Sequence, residues 1–200
     1  MAKQIWKPGN MLYPLPAVLV TVADKEENYN IFTVAWTGTV CSSPAMVSIS
    51  VRPERFSHHM IKETGEFVIN LTTKKLTYAT DYCGVVSGRD ENKFQKLKLH
   101  VEKAEHVKAP LLVESPVNIE CRVTQTLQLG THDMFLAEVL AVYADEQYMD
   151  EKGRFHLDWA DPIAYSHGRY YSLGKELGKF GYSVKNGSNG ENQVLPFFFM

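Results

Sequence analysis

Residues 46–52 read Met-Val-Ser-Ile-Ser-Val-Arg, an alternation that commits this stretch to a β-strand. Successive side chains of a strand point to opposite faces. Val47, Ile49 and Val51 therefore share one face, and Ser48, Ser50 and Arg52 the other. The polar face is either an ordinary solvated stripe or the lining of an anion-binding cleft. The next residues favour the cleft. Pro53-Glu54-Arg55-Phe56-Ser57-His58-His59 brings a second arginine, another hydroxyl and two imidazoles to a predicted helix start. Helix N-termini offer unpaired N–H groups to anions, and arginine matches phosphate as a fork.

The remaining pattern is also strand-rich. Ala17 to Ala23 is a continuous apolar, β-branched run, and Tyr29 to Trp36 resumes strand composition after the polar turn at 24–28. A helix fits Arg55 to Thr64, with Gly65 placed to end it. Glu66 to Leu71 reads as another strand, and Lys74 to Leu97 as helical or loop. Val117 to Leu127 and His132 to Tyr143 read as a long antiparallel pair turning near Gly130-Thr131. The expectation is a mainly β fold with interspersed helices, a barrel of Greek-key type. Residues 1–185 are expected to form one domain and 186–200 a flexible tail. Its terminal Phe-Phe-Phe-Met either docks on a partner subunit or has no role.

Several function classes fall away. A net charge of −2 argues against nucleic acid or an anionic membrane as the main partner. No apolar run approaches the roughly 20 residues of a membrane-spanning helix, and the first residues lack a signal-peptide core. Three widely spaced cysteines without a C-x-x-C suit a reducing cytoplasm. No G-x-G-x-x-G or G-x-x-x-x-G-K-[ST] is present, so a Rossmann or P-loop nucleotide site is not expected. The histidines show no ligand spacing, and no metal is expected.

A set of short motifs in order resembles one family. These are Tyr13-Pro-Leu-Pro16, Asn30-Ile-Phe-Thr-Val-Ala-Trp-Thr-Gly38, Cys41-Ser-Ser-Pro44, the Ser48–Arg52 strand and Glu66-Phe-Val-Ile-Asn70. Cys83-Gly84, Ser87-Gly-Arg-Asp90, Lys93-Phe94, Glu120-Cys121 and Gly130-Thr-His132 follow. Over about residues 10 to 175 the chain resembles flavin reductase-like proteins with an FMN-binding split barrel, especially the flavoredoxin-type branch. The resemblance implies a six-stranded antiparallel barrel, a homodimer, and FMN near the subunit interface.

Carried onto this sequence, Asn30 and Trp36 sit against the flavin, and Ser48, Ile49, Ser50, Val51 and Arg52 run beneath it. Backbone groups of Ala35, Trp36, Thr37 and Gly38 bond its rim. Cys41 lies near the ring, as a redox thiol or, more simply, a small buried filler. Ser57, with His58 in a secondary role, reaches the phosphate, and Tyr165 closes the ring pocket. Lys93 and His132 approach the ring or phosphate, where a cation or imidazole stabilises the reduced anion. Without a Rossmann signature, an NAD(P)H donor is expected to dock transiently and give ping-pong kinetics. Three functions remain open: an NAD(P)H-dependent flavin reductase serving a flavin or protein acceptor, an electron carrier holding FMN tightly, and a non-redox barrel for a small anion.

Overall fold

The alternating 46–52 segment is a strand in a rolled antiparallel sheet. The computed structural model describes residues 2–184. In chain order it runs β1 (Leu15–Pro16), β2 (Val18–Ala23), β3 (Tyr29–Val34), β4 (Thr37–Ser42), β5 (Ala45–Val51), α1 (Phe56–Thr64) and β6 (Glu66–Asn70). Then come α2 (Thr77–Val85), α3 (Lys93–Leu97), β7 (Val101–Glu102), β8 (Leu111–Leu112), β9 (Val117–Gln128), β10 (Asp133–Ala144), β11 (Ile163–Ser166) and β12 (Arg169–Ser172). The main sheet has the order β3-β2-β6-β9-β10-β5-β4.

Its two edge strands, β3 and β4, are separated in the chain only by Ala35 and Trp36. Laid flat, seven strands would hold those edges about 29 Å apart. The connection from Val34 to Thr37 reaches at most about 11 Å. The sheet therefore has to curl until its edges meet; the Ser50 amide, donating to the Trp36 carbonyl at 2.9 Å, carries the β4–β5 ladder one residue into that short connection. Chain connectivity forces a barrel split along one side.

The interior follows the period-two pattern. Val18, Val20, Val22, Val47, Ile49, Val51, Phe67 and Ile69 fill it together with Phe135, and Met60 and Ile61 of α1 plug one end. Each large side chain buried here contributes about 1.5–3 kcal/mol. The opposite face of β2 and β3 is also covered, Leu19 and Ile31 packing on Leu76, Ala79 and Cys83. This double burial explains the unbroken apolar run at 17–23. At the end of α1, Gly65 takes a positive φ of 69° and its amide bonds the Ile61 carbonyl at 2.8 Å.

One expectation needs correction. The main sheet has seven strands rather than six, because Thr37–Ser42, which carries no clear alternation, pairs with β5 as a hairpin. A separate three-stranded sheet, β1-β11-β12, brings the 163–172 hairpin onto the N-terminal strand. The 186–200 tail lies outside the described residues. Among the described residues no helix is long and apolar enough to cross a membrane.

Candidate flavin site at the barrel seam

The cleft lies along the seam, in two connected chambers of about 520 and 420 Å³ that share Phe32, Arg52 and Arg55. β5 delivers Arg52 to the junction. The same strand sends Ile49 into the core and leaves Ser50 on the cleft side.

The larger chamber is built for an anion. Arg52, Arg55, Arg89 and Lys93 line it, with Glu54 as the acidic lining residue. α1 starts against it without a side-chain cap and without an acid in its first turn. The Phe56 and Ser57 amides at its start are left for a ligand, while the His58 amide donates to the Arg55 carbonyl at 3.0 Å. Ser57, 1 % exposed, accepts a hydrogen bond from Asn30 Nδ2 at 2.7 Å, which leaves its own hydroxyl hydrogen to donate.

The opposite wall is the 86–90 turn. Arg89 Nη1 donates to the Glu54 carbonyl at 3.2 Å, and its guanidinium lies 5.5 Å from the Phe56 ring centroid. Gly88 allows this approach: a Cβ there would run into the Asn30 carboxamide and come within 2.8 Å of the Phe56 ring. Lys93 is buried, and its ammonium donates to the Val86 carbonyl at 3.1 Å, holding the same turn. Burial pushes the Lys93 pKa below the ordinary lysine range; Cys83 opposes that shift and Arg55 adds to it. Burial also pushes the Cys83 thiol up to about 11. A thiol in that state is protonated and inert.

The smaller chamber is aromatic. Trp36, His132, Tyr165 and Tyr170 line it, along with Ala35, Ser50 and Val51. Trp36, 40 % exposed, and His132 lie nearly parallel at 9°, with centroids 6.3 Å apart. Tyr165 and Tyr170 face each other across the β11–β12 pair. His132 Nδ1 is 2.9 Å from Thr131 Oγ1. A Thr131 hydroxyl donating there leaves Nε2 as the N–H donor.

The structure thus brings Asn30, Arg52, Ser57 and Lys93 to one end, and Ala35, Trp36, Ser50, Val51, His132 and Tyr165 to the other. Lys93 and His132, paired in the sequence reading, line different chambers. Thr37, Gly38, Cys41, Ser48, Ile49 and His58 are not on the lining. Thr37 and Gly38 pair with Ile49 and Ser48 on the β4–β5 ladder, and the Thr37 hydroxyl caps the Ser48 carbonyl at 2.8 Å. Cys41 is half-buried beside a register shift in β4, not the buried filler expected. His58 turns into the barrel and bonds Asp133. Sequence reasoning missed Arg89, Gly88 and Tyr170; the Ser87-Gly-Arg-Asp90 turn held the signal for the first two.

The flavin reductase like domain matches residues 11–174 of the chain. Flavoredoxin of Desulfovibrio vulgaris (Miyazaki F) superposes with a TM-score of 0.85 at 30 % identity, covering 92 % of this chain and all of that one. An uncharacterized protein of Archaeoglobus fulgidus is 34 % identical over 141 residues, 70 % of this chain and 78 % of its own length. The reductase component of 4-nitrophenol 4-monooxygenase/4-nitrocatechol 2-monooxygenase from Rhodococcus opacus is 27 % identical over 143 residues, 69 % of this chain and 64 % of its own.

Proposed function

The chain belongs to the flavin reductase-like family, and we propose that it is an FMN-binding oxidoreductase, an NAD(P)H-dependent flavin reductase moving electrons through bound FMN. One observation carries this reading: a single cleft is cationic at one end and aromatic at the other. That polarity fits a ligand with a dianionic phosphate and a flat ring system. Bound FMN supplies the redox chemistry, taking up a hydride and passing on electrons.

The residues supply the rest. Arg52, Arg55, Arg89, the Ser57 hydroxyl and the α1 amides would hold the phosphate through charge-assisted hydrogen bonds. Lys93 adds positive charge at the same end while anchoring the 86–90 turn. Trp36, Tyr165 and Tyr170 would wall the ring and exclude water. His132 would offer its Nε2 proton where negative charge develops on reduction, favouring the reduced state. With no dinucleotide fingerprint in the sequence, the nicotinamide donor would dock over the same open chamber, so donor and acceptor would alternate. A homodimer and a cytoplasmic location belong to the same proposal, the second supported by the unpaired cysteines.

Trp36→Ala is expected to weaken FMN and riboflavin alike, by about three- to tenfold, since an aromatic contact is worth roughly 0.5–1.5 kcal/mol. Isothermal titration with both ligands checks this; a loss confined to FMN would move Trp36 away from the ring.

The likeness to flavoredoxin over nearly the whole chain favours a second reading, an electron-transfer protein that keeps FMN tightly and has little nicotinamide activity. Anaerobic mixing of FMN-loaded protein with NADH and then NADPH separates the two. Rapid bleaching of the flavin band identifies a reductase and its donor. A flavin that stays oxidised with both, yet is reduced by a protein donor or dithionite, identifies a carrier. A protein that takes up no FMN defeats both readings.

A further inference from the structure

A buried bond ties together the elements that carry the two chambers. His58 Nε2 and Asp133 Oδ2 stand 2.8 Å apart, and each side chain is only 8 % exposed. The His58 ring also packs on Phe135 of the core, with centroids 5.5 Å apart. Neither residue lines the cleft, yet each is the immediate neighbour of one that does. Ser57, one residue before His58, lines the anion chamber; His132, one residue before Asp133, lines the aromatic chamber. Asp133 also pairs across the sheet with Val51, the residue before Arg52.

We propose that His58 and Asp133 are positioning residues, whose bond locks the first turn of α1 to the start of β10 and so fixes where His132 stands relative to the anion end. The inference rests on the flavin reading above. His132 is only partly buried, and Thr131 beside it is exposed. Its ring touches Thr131 and Trp36, and Trp36 is itself partly exposed. Its backbone is held on one side by the Leu129 amide, which donates to the His132 carbonyl at 2.9 Å, and on the other by the adjacent Asp133, gripped from below by His58. The carboxylate accepts from Nε2 whether the imidazole is neutral or charged, so the grip has a fixed direction. An apolar pair of similar size would fill the same space at little cost in stability. What it would lose is the orientation, and a small displacement of a group at a reacting edge is expensive.

The midpoint potential of bound FMN tests this, because it reads preference for reduced over oxidised flavin rather than affinity alone. His132→Ala is expected to cut that preference about tenfold, a fall of about 30 mV for a two-electron couple. The double variant His58→Phe/Asp133→Leu is expected to show the same fall while melting near the wild-type temperature. Adding His132→Ala to it should change the potential no further. Asp133→Asn, whose carbonyl can still accept from Nε2–H, should restore the wild-type potential. If the double variant does not fold, Asp133→Ser, which withdraws the carboxylate and admits water to His58, reads the same shift. A wild-type potential in the double variant, or a full additional fall from His132→Ala within it, overturns the inference and leaves the flavin reading standing. A His132→Ala variant with unchanged potential overturns it as well. Wild-type protein that binds no FMN overturns the reading and the inference together.

Discussion

Glu120→Ala is expected to destabilise the protein by about 3 kcal/mol or more, a large share of the roughly 5–15 kcal/mol that holds a domain folded. Glu120 sits on β9 with no exposed surface. Its Oε1 accepts from the Glu105 amide at 2.8 Å and from the Tyr143 hydroxyl at 2.6 Å, and its Oε2 accepts from the His106 amide at 2.7 Å. These bonds draw the 104–111 segment over the outer face of the sheet, where Ala104, Val107, Ala109 and Leu111 pack on Val68. Removing the carboxylate leaves three donors without their acceptor and opens a cavity beneath the 104–111 segment. Urea titration followed by circular dichroism measures the loss; a change below about 1 kcal/mol would mean that the 104–111 segment is held by its apolar contacts alone.

The same residue gives a pH dependence of known sign. Burial alone would raise the Glu120 pKa, but the Tyr143 hydroxyl and the two amides outweigh it and hold the carboxyl below its ordinary 4.5. In turn the Tyr143 phenol is pushed up to about 12, first by that hydrogen bond and then by burial. A folded value below the unfolded one means a contribution that is complete above about pH 4.5 and lost as the pH falls through the folded value. Glu120→Gln removes this titration. The stability gap between wild type and the glutamine variant should stay constant above that range and narrow below it.

The sequence made the strands legible where one period dominates. The 46–52 alternation and the unbroken apolar run at 17–23 both lie in strands, although Ser48, read on the polar face, is buried and off the cleft lining. Thr37–Ser42 was not legible because its residues are half-buried or exposed on an edge strand, so no period survives. The four-residue strands β11 and β12 are too short to carry one. Barrel closure was equally invisible from local windows. It follows from the fact that β3 and β4, neighbours in sequence, occupy opposite edges of the sheet, which is a property of the whole ladder order.

At the site, residue type was easier to read than direction. Arg52, Ser57, Trp36 and His132 could be picked out by chemistry and by motif order, and all four line the cleft. His58 could have been separated from Ser57 by helical phase. It lies three residues before Ile61, which points into the barrel, and the two share a face. Arg89 was hidden because it stands 35 residues from Glu54, whose carbonyl it bonds, and only the folded turn brings them together.

Arg52→Ala is expected to lower FMN affinity about tenfold or more while leaving riboflavin nearly untouched. A hydrogen bond to a charged group is worth roughly 1.5–3 kcal/mol, and each 1.4 kcal/mol is a factor of ten. The Arg52 side chain is 53 % exposed, so screening by solvent puts its value toward the lower end of that range. Its Nη1 pairs with Glu54 at 3.4 Å. A phosphate has to compete with that carboxylate, so Glu54→Gln should tighten FMN a few-fold, the opposite sign to Arg52→Ala. Raising the salt concentration should shrink both effects, because both are Coulombic at a half-exposed site. Titration of the two variants with FMN and riboflavin gives four affinities, and the pattern among them carries the argument. Loss of FMN alone in Arg52→Ala, with gain of FMN alone in Glu54→Gln, places the phosphate in the larger chamber. Equal loss of both ligands in Arg52→Ala would make Arg52 a support for the seam, where it follows the β5 strand, and would require the anion to be held by Arg55 and Arg89 instead.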